Sequence, residues 1–317
     1  MKKPSTSQTC WVISIATFYV ICLVFHVQSL PTEINYTSTG DPEDDGINFL
    51  AMIPERLFEE LLLSDLMIFT AIIFIGFEVM SFLALHIGEW LEYGFVPIRG
   101  KHLDELDMLD MTFIKINKLT AAPFIYYYMR FAYYSPHVVW DNLSLVNTIV
   151  ALPSLYIVYD FVYTLLHLAL HIRGLYSWIH LHHHGQKAPS RGNVDAINVH
   201  PVEFILGEFN HLLALYVVSN FVAEVHFLAA LIFISLGGFL ASLNHTRYDI
   251  VLFGGLYDSK AHDVHHRIPQ SNYGQYTMIW DKIFQTYRPY NPDEKINQRV
   301  QQKFLEYQKN IGTKKKA

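Results

Sequence analysis

Apolar residues along this chain gather into windows of membrane-spanning length, separated by polar connections. A spanning helix needs about 20 mostly apolar residues, and residues 11–30 (WVISIATFYVICLVFHVQSL) and 61–85 (LLLSDLMIFTAIIFIGFEVMSFLAL) have that character. Together they predict a first helical hairpin, closed by a connection, 31–60, with eight Asp or Glu against one Arg. A second pair combines the aromatic stretch 119–134 (LTAAPFIYYYMRFAYY) with residues 143–166 (LSLVNTIVALPSLYIVYDFVYTLL). The former has only 16 residues and contains Arg130, so a tilted span and an interfacial helix both satisfy it. The latter is a more regular span with a kink expected at Pro153. Residues 202–222 and 225–244, joined by Ala223 and Glu224, suggest a third hairpin before polar sequence resumes near His245. The pattern predicts an all-α fold, a polytopic membrane helical bundle.

Charge gives the bundle a direction. Lys2 and Lys3 precede the first window, and Arg99, Lys101, Lys115 and Lys118 follow the second. From Lys282 onward nine Lys or Arg stand against three acids. Positive flanks stay cytoplasmic, which puts the acidic connection and the sequon Asn35-Tyr36-Thr37 in the lumen, and the polar segments around residues 167–200 and 245–317 in the cytoplasm. The small residues of Val27-Gln28-Ser29 offer an alternative, a cleaved leader. With 51% hydrophobic and 16% charged residues and a mean hydropathy of +0.19, the 317-residue chain does not read as a soluble enzyme. A net charge of -6 gives no attraction to nucleic acid.

The candidate chemistry is histidine chemistry. The two cysteines, Cys10 and Cys22, share one apolar window, so no thiolate metal site is available. Of 17 histidines, 13 fall between His167 and His266. They form His167-x3-His171, His180-x2-His183-His184 and His262-x2-His265-His266. Residues three or four apart share a helix face, so each cluster can aim two or three imidazoles at one point. Eight imidazoles at membrane edges are costly to desolvate without a strong partner, and one metal uses only about three to six, which implies two metals. Imidazole suits iron, copper, nickel and zinc alike. A carboxylate-bridged di-iron bundle needs two Glu-x-x-His motifs; one is found, Glu208-Phe209-Asn210-His211, and reads as bundle packing. His-Glu-x-x-His, a nucleophile elbow, a phosphate loop and a Gly-x-Gly-x-x-Gly turn are all absent.

The set HLALH, YSWIHLHHHGQKAP, NVHPVEF, LNHTRYD and KAHDVHHRIPQSNYGQYTMIWDKIFQTY, spread over about residues 155–290, resembles the fatty acid hydroxylase and sterol desaturase superfamily of membrane non-haem di-iron oxidoreductases. The short gap between His171 and His180 is similar to this superfamily rather than to the acyl-CoA desaturases. The resemblance implies that His167, His171, His180, His183, His184, His262, His265 and His266 are metal ligands, with His245 a ninth. His200, in the His-Pro-x-Glu segment, matches as a ligand or as a residue orienting a neighbour. His182 points at a different helical angle and is left out. Where relatives often carry His-x-Gly-Tyr, this chain has His245-Thr246-Arg247-Tyr248, and the cation at Arg247 is expected to reshape the pocket. Asp263, Asp160, Glu203 and Asp249 are candidates to orient imidazoles; Asn272, Tyr273, Trp280 and Asp281 are expected to close over the site.

The same resemblance implies O2-dependent hydroxylation or desaturation of a membrane lipid by two iron ions held in a cytoplasmic histidine-rich cap. A sterol is the first expectation; fatty acyl, sphingolipid and alkylglycerol substrates stay open. No haem or dinucleotide motif occurs, so electrons come from an external donor, which the family suggests is cytochrome b5 with its NADH-dependent reductase. The terminal Lys314-Lys315-Lys316-Ala317 resembles a dilysine retrieval signal of the endoplasmic reticulum membrane; a basic tail near anionic lipid is the alternative. The expected division is 1–60 as anchor and acidic luminal loop, 61–150 as membrane helices and connections, 151–290 as catalytic domain, and 291–317 as basic tail. A membrane zinc hydrolase and a non-catalytic metal-binding scaffold are the rival readings.

Overall fold

The computed structural model describes residues 63–99 and 105–314. The 11–30 window, the acidic connection, the Asn35 sequon, the leader alternative, both cysteines and residues 315–317 lie outside the described residues. Within them the chain is mostly helical. The long helices are α1 (Leu63–Trp90), α2 (Met108–Tyr134), α3 (Ala151–Leu170), α4 (Pro201–Phe221) and α5 (Phe227–Leu243). Three stretches are long and apolar enough to cross a membrane: Met67–Trp90, Val146–Leu170 and Pro201–Phe221. The 17-residue α5 falls short of the ~20 residues of a full span.

Two expectations change in detail. The aromatic stretch 119–134 is the second half of a 27-residue helix, roughly 40 Å long at 1.5 Å per residue. Its first half was hidden by Asp110, Lys115 and Lys118. That helix starts at a reciprocal cap: the Asp110 amide donates to Asp107 at 2.9 Å, and the Asp107 amide donates to Asp110 at 2.7 Å. The irregularity expected at Pro153 is a π-helical turn, Val146–Val150, leading into α3. Pro153 lies in the first turn of α3, the part of a helix where a missing amide is tolerated.

The helices pack as a bundle. α3 packs against both α4 and α5, α4 against α2, and α1 against α5 and α2. Tyr128, Phe131, Leu155, Leu212, Leu215 and Phe233 fill the interior. The outer face of α1 is apolar yet uncovered, with Met67, Ile68, Ile75 and Val79 each more than half exposed, as suits contact with lipid rather than water. A parallel pair, β1 (Val138–Val139) with β2 (Val225–His226), ties the turn before α5 to the end of α2.

At the opposite ends of α3, α4 and α5 the polar segments form a cap. Short helical pieces cover Arg173–Leu175, Tyr176–His180, His183–Gly185 and Asn193–Ala196. An antiparallel pair, β3 (Val251–Leu252) with β4 (Tyr257–Asp258), leads into α6 (Ser259–Arg267), then α7 (Ile279–Phe284) and α8 (Gln298–Lys314). Phe304 of α8 packs against Phe95 and Ile98, and the Ile98 amide donates to the Gln301 side chain at 2.7 Å. The segment expected as a basic tail therefore includes a helix bound to the chain that follows α1.

Candidate metal centre

The cap brings nine of the sequence-predicted histidines together in two sets. His167, His171, His180, His184 and His265 form one; His183, His245, His262 and His266 form the other. Within each set, one ring nitrogen per residue lies within 4.8 Å of all the others. Helical geometry accounts for the partition. Residues four apart share a face, so His167 with His171 and His180 with His184 serve the first set, and His262 with His266 serves the second. Adjacent residues diverge by about 100°, so His183 and His184 part company, as do His265 and His266. Each three-histidine cluster thus gives two imidazoles to one set and one to the other. Two imidazoles from each cluster thus meet at one point, the lower of the two numbers the spacing allowed.

The distances suit metal ligation. In the first set, Nε2 of His180 lies 3.0 Å from Nε2 of both His167 and His184, and Nε2 of His265 is 3.1 Å from that of His184. In the second, His262 Nε2 is 3.1 Å from that of His245 and 2.9 Å from that of His266. Metal–imidazole bonds of ~2.1 Å at right angles would separate two ligand nitrogens by about 3.0 Å. Nε2 of His171 is buried without a hydrogen-bond partner, a cost that a bound cation would remove.

Five of the outer nitrogens are fastened. Nδ1 of His167 donates to the Tyr273 carbonyl at 2.8 Å, of His245 to Ala241 at 2.8 Å, of His265 to Ser271 at 2.7 Å and of His266 to Gln186 at 2.7 Å. His180 donates to the Glu203 carboxylate at 2.7 Å. Each bond fixes the tautomer that turns a bare Nε2 inward. Burial, joined by the neighbouring His167 imidazole and the Lys187 ammonium, pushes His171 down to about 2. Burial, then adjacent imidazoles, holds His180, His183, His262, His265 and His266 well below the usual histidine range. Burial also lowers His184 and His245. Neutral imidazole is the metal-binding form, so donor chemistry, spacing and orientation all fit a metal in either set.

The remaining candidates separate by contact. Glu203 orients an imidazole directly. Asp160 instead accepts the backbone N–H groups of Gln275, Tyr276 and Thr277 at 3.2, 3.0 and 2.6 Å, pinning the loop after α6 to α3. Asp281 holds the amides of Tyr273 and Gly274 at 2.8 and 2.7 Å, which presents the Tyr273 carbonyl to His167. Asn272, in a left-handed conformation, ties Ala261 to Arg288, and the Trp280 indole donates to the Ile157 carbonyl at 2.9 Å. Asp263 pairs with Arg247 and Arg267, and Asp249 pairs with Lys260 at the surface; neither is bonded to an imidazole. His200 lies outside both sets: its Nδ1 accepts the Val202 amide at 3.3 Å, capping α4, and its ring meets Phe113. His182 bonds Asn198 at 2.8 Å, also apart.

Arg247 corrects another expectation. Its φ of 70° is the conformation a glycine would favour, yet its side chain turns away, donating to the Val96 and Pro97 carbonyls at 2.8 and 2.9 Å and pairing with Asp263. It does not line the cavity beside the histidines. That cavity reaches His167, His183, His245 and His262 and extends between the helices past Phe77 and Met80 of α1, Leu166 and Leu170 of α3, Phe204 of α4 and Ala241 of α5. Glu208 and His211 of the lone Glu-x-x-His motif also line it. The signal available in the sequence was an ionisable pair inside an apolar span. The backbone carbonyl acceptors of the imidazoles carried no sequence signal at all.

Residues 152–286 match the family model described as fatty acid hydroxylase, a stretch that carries every member of both imidazole sets. The family named from the motifs is thereby matched. No solved structure matches the chain.

Proposed function

We propose that the protein is an O2-dependent oxidoreductase that hydroxylates or desaturates a membrane lipid, a sterol foremost, at a di-iron centre. The observation that carries this reading is the junction of two buried, convergent imidazole sets with a cavity walled by apolar side chains of the bundle. Iron, when bound, supplies one-electron and O2 chemistry able to act on an unactivated C–H bond. His167, His171, His180, His184 and His265 would hold one ion, and His183, His245, His262 and His266 the other; His200 supports α4 instead. Glu203 and the carbonyls of Tyr273, Ala241, Ser271 and Gln186 keep the imidazoles aimed. Leu166, Leu170, Phe77, Met80 and Phe204 would hold the lipid chain and exclude water.

Electrons reach the cap from an external donor, for which cytochrome b5 and its NADH-dependent reductase are our choice. We place the protein in the endoplasmic reticulum membrane with the histidine cap cytoplasmic. The chain divides into an anchor and luminal loop (1–60), membrane helices (61–150), a catalytic domain (151–290) and a basic tail (291–317).

The test is oxygen uptake by detergent-purified protein supplied with sterols, NADH, cytochrome b5 and reductase, alongside elemental analysis. About two irons per chain and sterol-dependent uptake, lost in His184→Ala, are expected. Two zincs per chain, with no uptake after iron reconstitution, would move the assignment to a hydrolase.

A further inference from the structure

A second polar cluster lies in the cavity away from the imidazoles. Glu208 and His211 sit five and eight residues beyond Glu203 on α4, about 7 and 12 Å along the helix axis. Tyr159 sits eight residues before His167 on α3, again about 12 Å away. All three line the cavity, as does Tyr276 from the loop pinned by Asp160. His211 Nδ1 is 3.3 Å from the Glu208 carbonyl, and its Nε2 is 2.9 Å from the Tyr276 hydroxyl. With Nδ1–H donating, Nε2 accepts the phenolic proton of Tyr276, whose oxygen also meets the Tyr159 hydroxyl. Burial, together with nearby hydroxyls and the Glu208 and Asp160 carboxylates, holds Tyr276 well above the usual phenol range, so it stays a neutral hydroxyl.

The room for this pair is specific. A Cβ at Gly237 of α5 would come within 2.7 Å of the Tyr276 hydroxyl and 3.1 Å of His211 Nε2. The Glu208 carboxyl belongs to a helix of membrane-spanning length and takes no part in either imidazole set. An ionisable side chain so placed is expensive unless it has a partner, and the cavity is where a partner would come.

We propose that Glu208 and the His211–Tyr276 pair form a recognition subsite for a hydroxyl group of the lipid substrate. A substrate hydroxyl would donate to the Glu208 carboxyl, beside the Tyr276 hydroxyl that His211 holds in place, while the rest of the lipid runs toward the imidazoles. The carbon presented to the metal is then set by its distance from that hydroxyl, roughly 10 Å by the helix rise. The inference rests on the lipid-oxidising reading, but its test does not use turnover.

The experiment measures retention of two matched probe pairs by purified full-length protein in nanodiscs: cholesterol against cholest-5-ene, and 1-octadecanol against octadecane. Wild type should prefer the hydroxylated member of at least one pair by about tenfold. Glu208→Leu should abolish the preference, and Glu208→Gln and Tyr276→Phe should each keep part of it. Equal retention, or no retention, of both members of both pairs by wild type overturns the proposal, as does an undiminished preference in Glu208→Leu. Iron content and oxygen uptake are read on the same samples. Preference retained without iron or uptake would defeat the oxidase reading and leave the subsite standing.

Discussion

Replacing Glu203 probes how the cap aims its ligands. Its carboxylate accepts the His180 Nδ1–H at 2.7 Å, and both residues are buried. A charge-assisted hydrogen bond of this kind contributes about 1.5–3 kcal/mol. Loss of such an outer partner costs metal affinity about 10–100-fold, the same range in free energy. Glu203→Gln keeps a carbonyl acceptor and the ring orientation but loses the charge, so about tenfold is expected. Glu203→Leu removes the acceptor and strands a buried N–H, so the loss should approach a hundredfold. Because His180 belongs to the five-histidine set alone, the weakening should be confined to one site. Iron-loaded protein challenged with increasing chelator, with residual metal read by elemental analysis, should lose half its metal early and the rest at the wild-type concentration. Asp249→Asn, altering a surface pair with Lys260, should behave as wild type. Unchanged retention in Glu203→Leu, or equal weakening of both halves, would refute the argument.

Other outcomes follow from the same geometry. His183→Ala and His184→Ala, adjacent in sequence, should weaken opposite sites, so a double substitution should deplete metal more than either alone; identical chelation curves for the single variants would contradict the partition. The buried imidazoles outside the spans have folded pKa values below the ordinary 6.5. As pH falls through about 6.5 the unfolded chain therefore takes up protons first, and stability of the metal-free protein should be full above about pH 7.5 and drop steadily below 6.5. Thermal midpoints that are equal at about pH 7.5 and 5.5 would contradict this. Asp160→Ala should lose on the order of 3 kcal/mol, since it orphans the three amides of Gln275, Tyr276 and Thr277 and unpins the loop. A shift in denaturation midpoint of under about 1 kcal/mol would show that the loop is held by other contacts.

Much of the site was legible because metal ligation demands a rare residue type at helical spacing. The i, i+4 pairs His167/His171, His180/His184 and His262/His266 remain together in the folded protein, as a periodicity of 3.6 requires. What spacing could not decide was where His183 and His265 go. Each lies three residues from one member of its cluster and next to another, and only the packing of the cap against α3 selects the set it joins. Glu203 was one of four equivalent carboxylates in the sequence. It is singled out because α4 begins at Pro201 and brings its first turn beneath His180, whereas Asp160, Asp263 and Asp249 meet amides, guanidinium groups and an ammonium.

Apolar runs and histidine spacing thus determined by themselves that this is a helical membrane protein with a histidine-rich cap whose imidazoles could hold metal, because both depend on local periodicity and composition. The tertiary structure alone decided that Arg247 faces away from the cavity, that His200 caps a helix, and that Glu208 and His211 line the chamber leading from the imidazoles. These outcomes depend on how α3, α4 and α5 rotate against one another and where the loop carrying Tyr276 is pinned. Contacts between residues 65 positions apart, such as His211 with Tyr276, leave no periodic trace in the chain.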